Sequence, residues 1–250
     1  MRRKLVVGNW KMNGRIAQNQ ELILAVMNGL RESSNADYVL CVPYPYLGQA
    51  QSLLHGSNLA WGAQNVCANE TVALTGAVSA YMLADYGCSY VIVGHSERRI
   101  QFHETDDTAA TRFSAAEKAG LIPIFCMGES VEERDSDWTE YIVGRQIDSI
   151  IRRFGAEVLD KAVLAYEPLW AVGTDIAATP EQAQKVHKFI RDRIAKCDAT
   201  IAKNVRILYG GSLNASNAAA LFAMPDIDGG LVGRCSLDAK AFVDICKSAN

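Results

Sequence analysis

Three side chains capable of acid–base chemistry follow or interrupt short apolar runs in this sequence. Glu167 ends the run VLAY and precedes Pro-Leu-Trp, His95 ends the run VIVG, and Lys11 lies in GNWKMNG. A carboxylate can remove a proton, a neutral imidazole can donate a hydrogen bond to a carbonyl oxygen, and an ammonium group can stabilise an anion. If the fold brings these groups together, they predict proton transfer beside a bound anion.

Each of these residues also has a simpler explanation. Strand alternation sends Asn9 and Lys11 to one side and Trp10 to the other, but a strand that ends by Trp10 leaves Lys11 solvated. His95 could be a structural histidine, and Glu167 could be a rim carboxylate paired with an arginine. The Ser-Glu-Arg-Arg after His95 is typical of a helix start, and the positive end of a helix disfavours an imidazolium, so we expect a neutral ring. Three further histidines are expected to be structural: His55, His103 and His187.

Eight short apolar runs alternate with helical patterns and define the elements that must position these groups. The runs begin at Leu5, Tyr38, Leu59, Tyr90, Leu121, Ala162, Val205 and Gly230. Strands that are apolar almost throughout and alternate with helices predict a parallel sheet buried on both faces. Eight units in 250 residues predict an α/β fold, a (β/α)₈ barrel that occupies residues 1–250 as one domain. An open doubly wound sheet is the alternative.

Polar residues at the ends of these runs favour the barrel, in which all strand carboxyl ends share one rim where barrel enzymes place their chemistry. These residues are Asn9, Lys11, Gln64, Asn65, His95, Glu97, Glu129, Glu167, Ser212 and Gly233. The clearest helix runs from Thr179 to Lys196, with a predicted cap formed by Thr179 and Gln182. Between Glu167 and that cap, Pro168 is followed by an irregular tract that predicts either a mobile lid or an ordinary surface loop.

Two glycine-containing loops follow the last two runs, YGGSLNAS at 209–216 and LVGRCS at 231–236. Glycine lets backbone N–H groups approach a phosphate closely, and barrels commonly bind phosphate with the loops after strands seven and eight. Either loop alone could be a simple turn. Together, in the last two units of an eight-unit chain, they predict a phosphate site.

Composition excludes several classes of function. A net charge of −3 and a pI near 5.8 do not favour a nucleic-acid partner, and no apolar run is long enough for a membrane span. Seven cysteines without a Cys-x-x-Cys pair predict neither a disulfide framework nor a zinc site. We therefore expect a soluble, cytoplasmic protein with reduced cysteines.

The motifs GNWKMN, GHSERR, YEPLWAVGT with ATPEQAQ, YGGS and DGGLVG occur in the order and spacing of the triosephosphate isomerase family, which the chain resembles over nearly its whole length. The resemblance implies a (β/α)₈ homodimer without metal or organic cofactor that interconverts dihydroxyacetone phosphate and D-glyceraldehyde 3-phosphate in glycolysis and gluconeogenesis. It implies that Glu167 is the base, His95 the proton donor and Lys11 the electrostatic stabiliser. The implied catalytic set also contains Asn9 and Glu97.

The resemblance assigns three further groups of residues. Substrate binding, with the phosphate held by backbone N–H groups of the last four, is expected from Asn9, Lys11, Gly173, Ser212, Gly233 and Arg234. The lid is expected to comprise Pro168, Leu169, Trp170, Ala171, Val172, Gly173, Thr174, Asp175, Ile176, Ala177 and Ala178. The loop 64–79, long and apolar at its tip, is expected to insert into the second subunit with Thr75 and Gly76 at the interface.

Three residues depart from the family pattern. Ala77 stands where the family usually has glutamate, so an ion pair with Arg98 across the dimer is not expected. Asp175 replaces a usual lid glycine, and Arg234 replaces the second glycine of Val-Gly-Gly. Two other functions fit parts of the pattern: a Schiff-base aldolase with Lys11 as nucleophile, and a catalytically silent dimer that only binds phosphometabolites or proteins.

Overall fold

A closed barrel of eight parallel strands forms the centre of the protein. The computed structural model describes residues 2–69, 72–173 and 177–249. The strands are β1 (Leu5–Asn9), β2 (Asp37–Cys41), β3 (Leu59–Ala63), β4 (Tyr90–Val93), β5 (Ile122–Met127), β6 (Val163–Tyr166), β7 (Arg206–Tyr209) and β8 (Gly229–Val232). Each pairs in parallel with its neighbours in sequence, and β8 pairs with β1 through Leu5 and Gly229. The (β/α)₈ prediction is confirmed, and the open doubly wound alternative is wrong.

Helices connect the strands and pack on the outer face of the barrel. Those in the described residues are α1 (Ile16–Leu30), α2 (Leu47–Leu54), α3 (Ala80–Asp85), α4 (Ser96–Gln101), α5 (Asp106–Lys118), α6 (Val131–Asp135), α7 (Thr139–Phe154), α8 (Pro180–Ala195), α9 (Ala199–Asn204), α10 (Ala218–Phe222) and α11 (Ala239–Lys247). Short 3₁₀ turns occur at Tyr44–Tyr46, Glu157–Leu159, Leu169–Ala171 and Arg234–Leu237. Within these described ranges, no helix combines the length and hydropathy needed to cross a bilayer.

Strand side chains alternate between the barrel interior and the layer of helices. The interior cluster is Leu5, Val7, Val39, Cys41, Tyr90, Ile92, Ile124, Cys126, Val163, Ala165, Leu208 and Leu231. The intervening residues pack under the helices, as Val6 and Tyr166 do. This parity decides which residue at each strand end faces the cavity at the rim.

The predicted cap of α8 is present in full. The Thr179 side chain accepts a hydrogen bond from the Gln182 N–H, and the Gln182 side chain accepts one from the Thr179 N–H. Pro180 occupies the first helical position, where a missing N–H costs nothing. The residues of α8 that face the barrel are buried at the spacing the sequence predicts, with Phe189 half-buried. This capped start fixes the chain where the segment after β6 returns to the barrel.

Candidate active site

A cavity of about 320 Å³ lies at the carboxyl-terminal rim of the barrel. Its lining includes most residues that the sequence predicts for catalysis and phosphate binding, namely Asn9, Lys11, His95, Glu167, Gly173, Ser212, Gly233 and Arg234. Glu97 is not part of this lining, but it contacts Lys11. The fold therefore gathers side chains that are separated by more than 150 residues in the sequence.

Glu167 enters the cavity because it continues the inward parity of β6. Val163 and Ala165 point into the barrel, whereas Tyr166 packs outward against the helices. The Glu167 residue is 2% exposed, and donors flank both carboxylate oxygens. Oε2 accepts the Ser96 N–H at 3.0 Å, and Oε1 lies 3.1 Å from His95 Nε2. Buried carboxylate oxygens need such donors, because a polar atom without a hydrogen-bond partner is costly away from water.

His95 faces the cavity because Gly94 interrupts the alternation of β4. Gly94 has φ +67°, a left-handed conformation that a side chain would strain, and an added Cβ would lie 3.0 Å from Ala109 Cβ. His95 then serves as the N-cap of α4, with Nδ1 accepting the Glu97 N–H at 3.2 Å. An accepting Nδ1 carries no proton, so the ring is the neutral tautomer with its hydrogen on Nε2. That hydrogen points at Glu167, as the predicted neutral donor requires.

Lys11 reaches the site by a different route from the one the sequence pattern suggests. Strand alternation does not place Lys11, because β1 ends at Asn9, but the expected result holds, since Asn9 and Lys11 both line the rim cavity. Lys11 instead adopts a left-handed backbone with φ +54°, and its N–H donates to Asn9 Oδ1 at 3.0 Å. Its Nζ lies 2.6 Å from Glu97 Oε1. An asparagine clamp and an ion pair therefore hold the ammonium group at the cavity wall.

Glycines on the opposite wall leave room for the groups they face. A Cβ at Gly210 would lie 2.8 Å from Glu167 Cγ, and one at Gly233 would lie 3.5 Å from Lys11 Cε. Ser212 requires a correction, because its N–H donates to Ala171 O at 2.8 Å and is not available to a phosphate in this conformation. The loop after β7 is thus bound to the segment that follows Glu167.

The structure describes both ends of the predicted lid. On the β6 side, Pro168 is buried, and Leu169 donates its N–H to Glu129 O at 3.0 Å. On the other side, Ala178 is buried and donates its N–H to the Tyr209 hydroxyl at 3.1 Å, while Ala177 is half-buried. Val172 and the exposed Gly173, with φ +71°, lie between. The predicted lid residues Thr174, Asp175 and Ile176 lie outside the described residues.

Two residues near Glu167 were given no role by the sequence: Ser96 was not singled out, and Glu129 was noted only for its position at the rim. Ser96 donates its N–H to Glu167, and Glu129 Oε1 accepts hydrogen bonds from Tyr166 at 2.9 Å and Trp170 at 3.0 Å. Burial raises the pKa of Glu129 above its ordinary value, and these hydrogen bonds lower it in part. The signal for Glu129 was its place at the end of β5, whereas nothing in the sequence distinguishes Ser96.

Cys126 lies inside the barrel beside Glu167. Burial raises the pKa of its thiol, and the neighbouring Glu167 charge raises it further. The thiol therefore stays protonated next to the carboxylate. All seven cysteines are unpaired, and in the described ranges no three His, Cys, Asp or Glu side chains converge as metal ligands.

Thr75 and Gly76 are exposed and do not line the cavity of this chain. Arg98, which the family pattern would pair across the dimer, donates to Glu104 Oε1 within the chain at 2.6 Å. Large apolar side chains are exposed in the segment 72–102, namely Val72, Leu74, Tyr81, Met82, Tyr86, Ile100 and Phe102. Exposed apolar side chains in this number favour a protein interface.

The fold and this site together define a (β/α)₈-barrel isomerase, with a carboxylate, a neutral imidazole and an ammonium group around one rim cavity. The triosephosphate isomerase family model matches residues 4–249. The triosephosphate isomerase of Nitrosomonas europaea is 54% identical over 244 residues, 98% of this chain and 97% of that protein. That of Thiobacillus denitrificans is 53% identical over 249 residues, 100% and 99% of the two chains. That of Serratia proteamaculans is 52% identical over 249 residues, 100% and 98%. The chain belongs to the triosephosphate isomerase family.

Proposed function

We propose that residues 1–250 form one catalytic domain that interconverts dihydroxyacetone phosphate and D-glyceraldehyde 3-phosphate through an enediol(ate), in glycolysis and gluconeogenesis. The observation that carries the proposal is the 3.1 Å approach of Glu167 to the neutral His95 in a cavity that Lys11 also lines. A base, a hydrogen-bond donor and a positive charge are what enolisation of a phosphorylated carbonyl compound requires. The reaction only relocates protons, so it needs no cofactor.

Glu167 is the base that removes a proton from the carbon beside the carbonyl and returns one to the neighbouring carbon. Both its oxygens are engaged in this conformation, by Ser96 and His95. The carboxylate must therefore break its contact with Ser96 or His95 before it can reach the substrate. Pro168 and the 3₁₀ turn Leu169–Ala171 follow directly, so a movement of the hinge also moves the base.

His95, Lys11 and Asn9 act on the oxygens of the substrate. The Nε2–H of His95 polarises the carbonyl and exchanges protons with the enediol(ate), which requires the neutral ring that the Glu97 N–H imposes. Lys11 stabilises the negative charge, and Asn9 positions the substrate while its Oδ1 holds the Lys11 backbone. A single proton-transfer group contributes about 10² to 10⁴ in rate, so these electrostatic contacts supply much of the remainder.

The phosphate binds at the glycine-rich side of the cavity, to backbone N–H groups of Gly173, Gly233 and Arg234. Ser212 joins them only after its N–H leaves Ala171 O. That exchange links phosphate binding to the segment after β6, because Ala171 and Gly173 lie on the same short stretch of the lid. Closure over the phosphate excludes water and keeps the enediolate from eliminating phosphate.

The active form is a homodimer in the cytoplasm. The exposed apolar surface around the loop 64–79 supports an interface with a second copy, in which Thr75 and Gly76 insert beside Asn9, Lys11 and Glu97 of the partner subunit. The unpaired cysteines support a reducing compartment. Dilution below the dimer dissociation constant should reduce activity per chain, and full activity in a species shown to be monomeric refutes this part.

Glu167→Gln tests the assignment of the base. The amide keeps the size of the side chain but cannot accept a proton, so turnover in a coupled glyceraldehyde 3-phosphate assay should fall by at least about 10²-fold. Binding of a phosphate analogue should change little, and wild-type enzyme in D₂O should place deuterium on the reacting carbon. Near-normal turnover in the variant removes Glu167 from this role.

Borohydride with dihydroxyacetone phosphate separates the isomerase from the aldolase alternative. A Schiff base needs a free amine, whereas Lys11 is an ammonium paired with Glu97 at 2.6 Å. No reducible adduct is therefore expected on Lys11. Turnover itself separates the isomerase from a silent binding protein.

A further inference from the structure

A second cavity of about 340 Å³ lies beside the first hinge of the lid, and we call it the hinge cavity. Glu129, Tyr166 and Trp170 form its inner wall, and Asp137 and Glu140 are among the residues of its rim. It shares no lining residue with the active-site cavity. The volume falls at the lower end of the range for small-molecule sites in proteins.

The inner wall contains a buried carboxylate with unused capacity to accept hydrogen bonds. Glu129 is 1% exposed, and its Oε1 accepts from Tyr166 and Trp170. The Thr139 side chain is close to the carboxylate, but Oε2 accepts no hydrogen bond of normal geometry from the described part of the chain. A buried oxygen in this state is costly, and a ligand that brings an N–H donor would satisfy it.

The charges around the cavity favour a cation. Glu129, Asp137 and Glu140 are acidic, and they face two basic residues, Arg134 and Lys185. Arg134 already has partners, because its guanidinium lies 4.3 Å above the Trp170 ring and forms an ion pair at 2.9 Å with Asp135, which is outside the cavity. The cavity therefore has more carboxylates than basic side chains able to form ion pairs with them. Aromatic side chains on the inner wall provide contact for a flat apolar body.

The position of the cavity couples any ligand to the lid. Trp170 donates its indole N–H to Glu129 at 3.0 Å, and Leu169 donates its backbone N–H to Glu129 O at 3.0 Å. Both donors belong to the 3₁₀ turn that begins two residues after the base Glu167. A molecule that contacts Glu129 and Trp170 together would hold this turn in the conformation seen here.

We infer that the hinge cavity binds a small organic cation, an amidinium or primary ammonium group on a flat apolar body, and that the bound cation slows the lid. The effect on turnover rests on the proposed function, because it requires the lid to move during each cycle. The binding itself does not. An occupant at this place lowers kcat without competing with the phosphate.

Benzamidine is the probe, and benzamide, nearly the same shape without the charge, is its matched control. Binding is followed on the dimer without substrate by the indole N–H resonances of the four tryptophans, with Trp170 assigned through Trp170→Phe. We expect saturable binding that shifts the Trp170 resonance most, is about tenfold weaker for benzamide, and is unchanged by inorganic phosphate. A largest shift at Trp10, Trp61 or Trp138, equal binding of benzamide, or competition by phosphate overturns the site.

Two variants test the contact that the inference names. Glu129→Gln removes the charge and should weaken benzamidine about tenfold, whereas Glu21→Gln on the exposed face of α1 should leave its affinity unchanged. If Glu129→Gln does not fold, the tryptophan resonances of the wild-type protein and the comparison with benzamide still test the proposed site. In the coupled assay, benzamidine should lower kcat severalfold with KM changed less than about twofold. Binding at Trp170 without a change in kcat refutes the coupling to the lid and leaves the catalytic assignments untouched.

Discussion

Gly210→Ala tests whether the room left beside Glu167 sets the geometry of the base. An alanine Cβ at this position would lie 2.8 Å from Glu167 Cγ and 3.2 Å from Tyr166 O, whereas ordinary contact begins at 3.4 Å. Gly210 does not have a left-handed backbone, so the substitution introduces no backbone strain. The clash can be relieved only if Glu167 or the loop after β7 moves by about 0.6 Å, the difference between 2.8 and 3.4 Å.

The magnitude follows from the sensitivity of proton transfer to position. A displacement of 1 Å in an active site can cost about 10²-fold in rate, so a shift of about 0.6 Å should cost about 10- to 20-fold. That loss corresponds to about 1.6 kcal/mol of activation free energy. Because the proposed phosphate site uses other groups, the loss should fall on kcat, with KM changed little.

Initial rates in the coupled assay give kcat and KM, and chemical denaturation gives the free energy of unfolding. Gly29→Ala is the matched control, because its Cβ would lie 2.6 Å from Val243 Cγ2, between α1 and α11 and away from the rim cavity. It should change stability and leave kcat within about twofold. Unchanged kcat in Gly210→Ala would refute the argument, as would an equal loss in the control.

Three further predictions address stability and the lid. Burial lowers the pKa of His187 to about 3 from 6.5, so the folded protein resists protonation there and loses stability as pH falls through 6.5. Between pH 7.5 and 4.5 this loss is about 3 kcal/mol. His187→Asn, which keeps a donor for Asp226 O, should remove the loss from denaturation curves measured across this pH range, and parallel pH profiles of the two proteins contradict this. Thr179→Ala should lower the free energy of unfolding by about 1 kcal/mol, and Thr179→Ser should largely retain the wild-type value. An unchanged free energy of unfolding in Thr179→Ala would show that the cap does not stabilise the fold. Deleting the lid between its hinges should raise phosphate elimination relative to isomerisation, and an unchanged product ratio argues against closure.

Much of the barrel and the chemical groups at its rim could be predicted from the amino-acid pattern. Eight apolar runs predict the eight strands to within one residue at their starts, because strands buried on both faces must be apolar throughout. The Thr179 cap is a local interaction, so sequence spacing alone predicted both of its hydrogen bonds. Glu167, His95 and Lys11 were recognisable because charged or titratable groups at the ends of apolar strands are costly unless they have a use.

The way these groups meet depends on contacts between distant parts of the chain, which the pattern does not predict. Lys11 and His95 enter the cavity through left-handed backbone at Lys11 and Gly94, which strand parity does not foresee. The Ser96 N–H donates to Glu167, which lies 71 residues away in the chain. The Ser212 N–H donates to Ala171 O, which lies 41 residues away. Such contacts arise from the closure of the barrel, which brings strand ends together whatever their separation in sequence. Local pattern therefore specifies the groups, and the packed barrel specifies their partners.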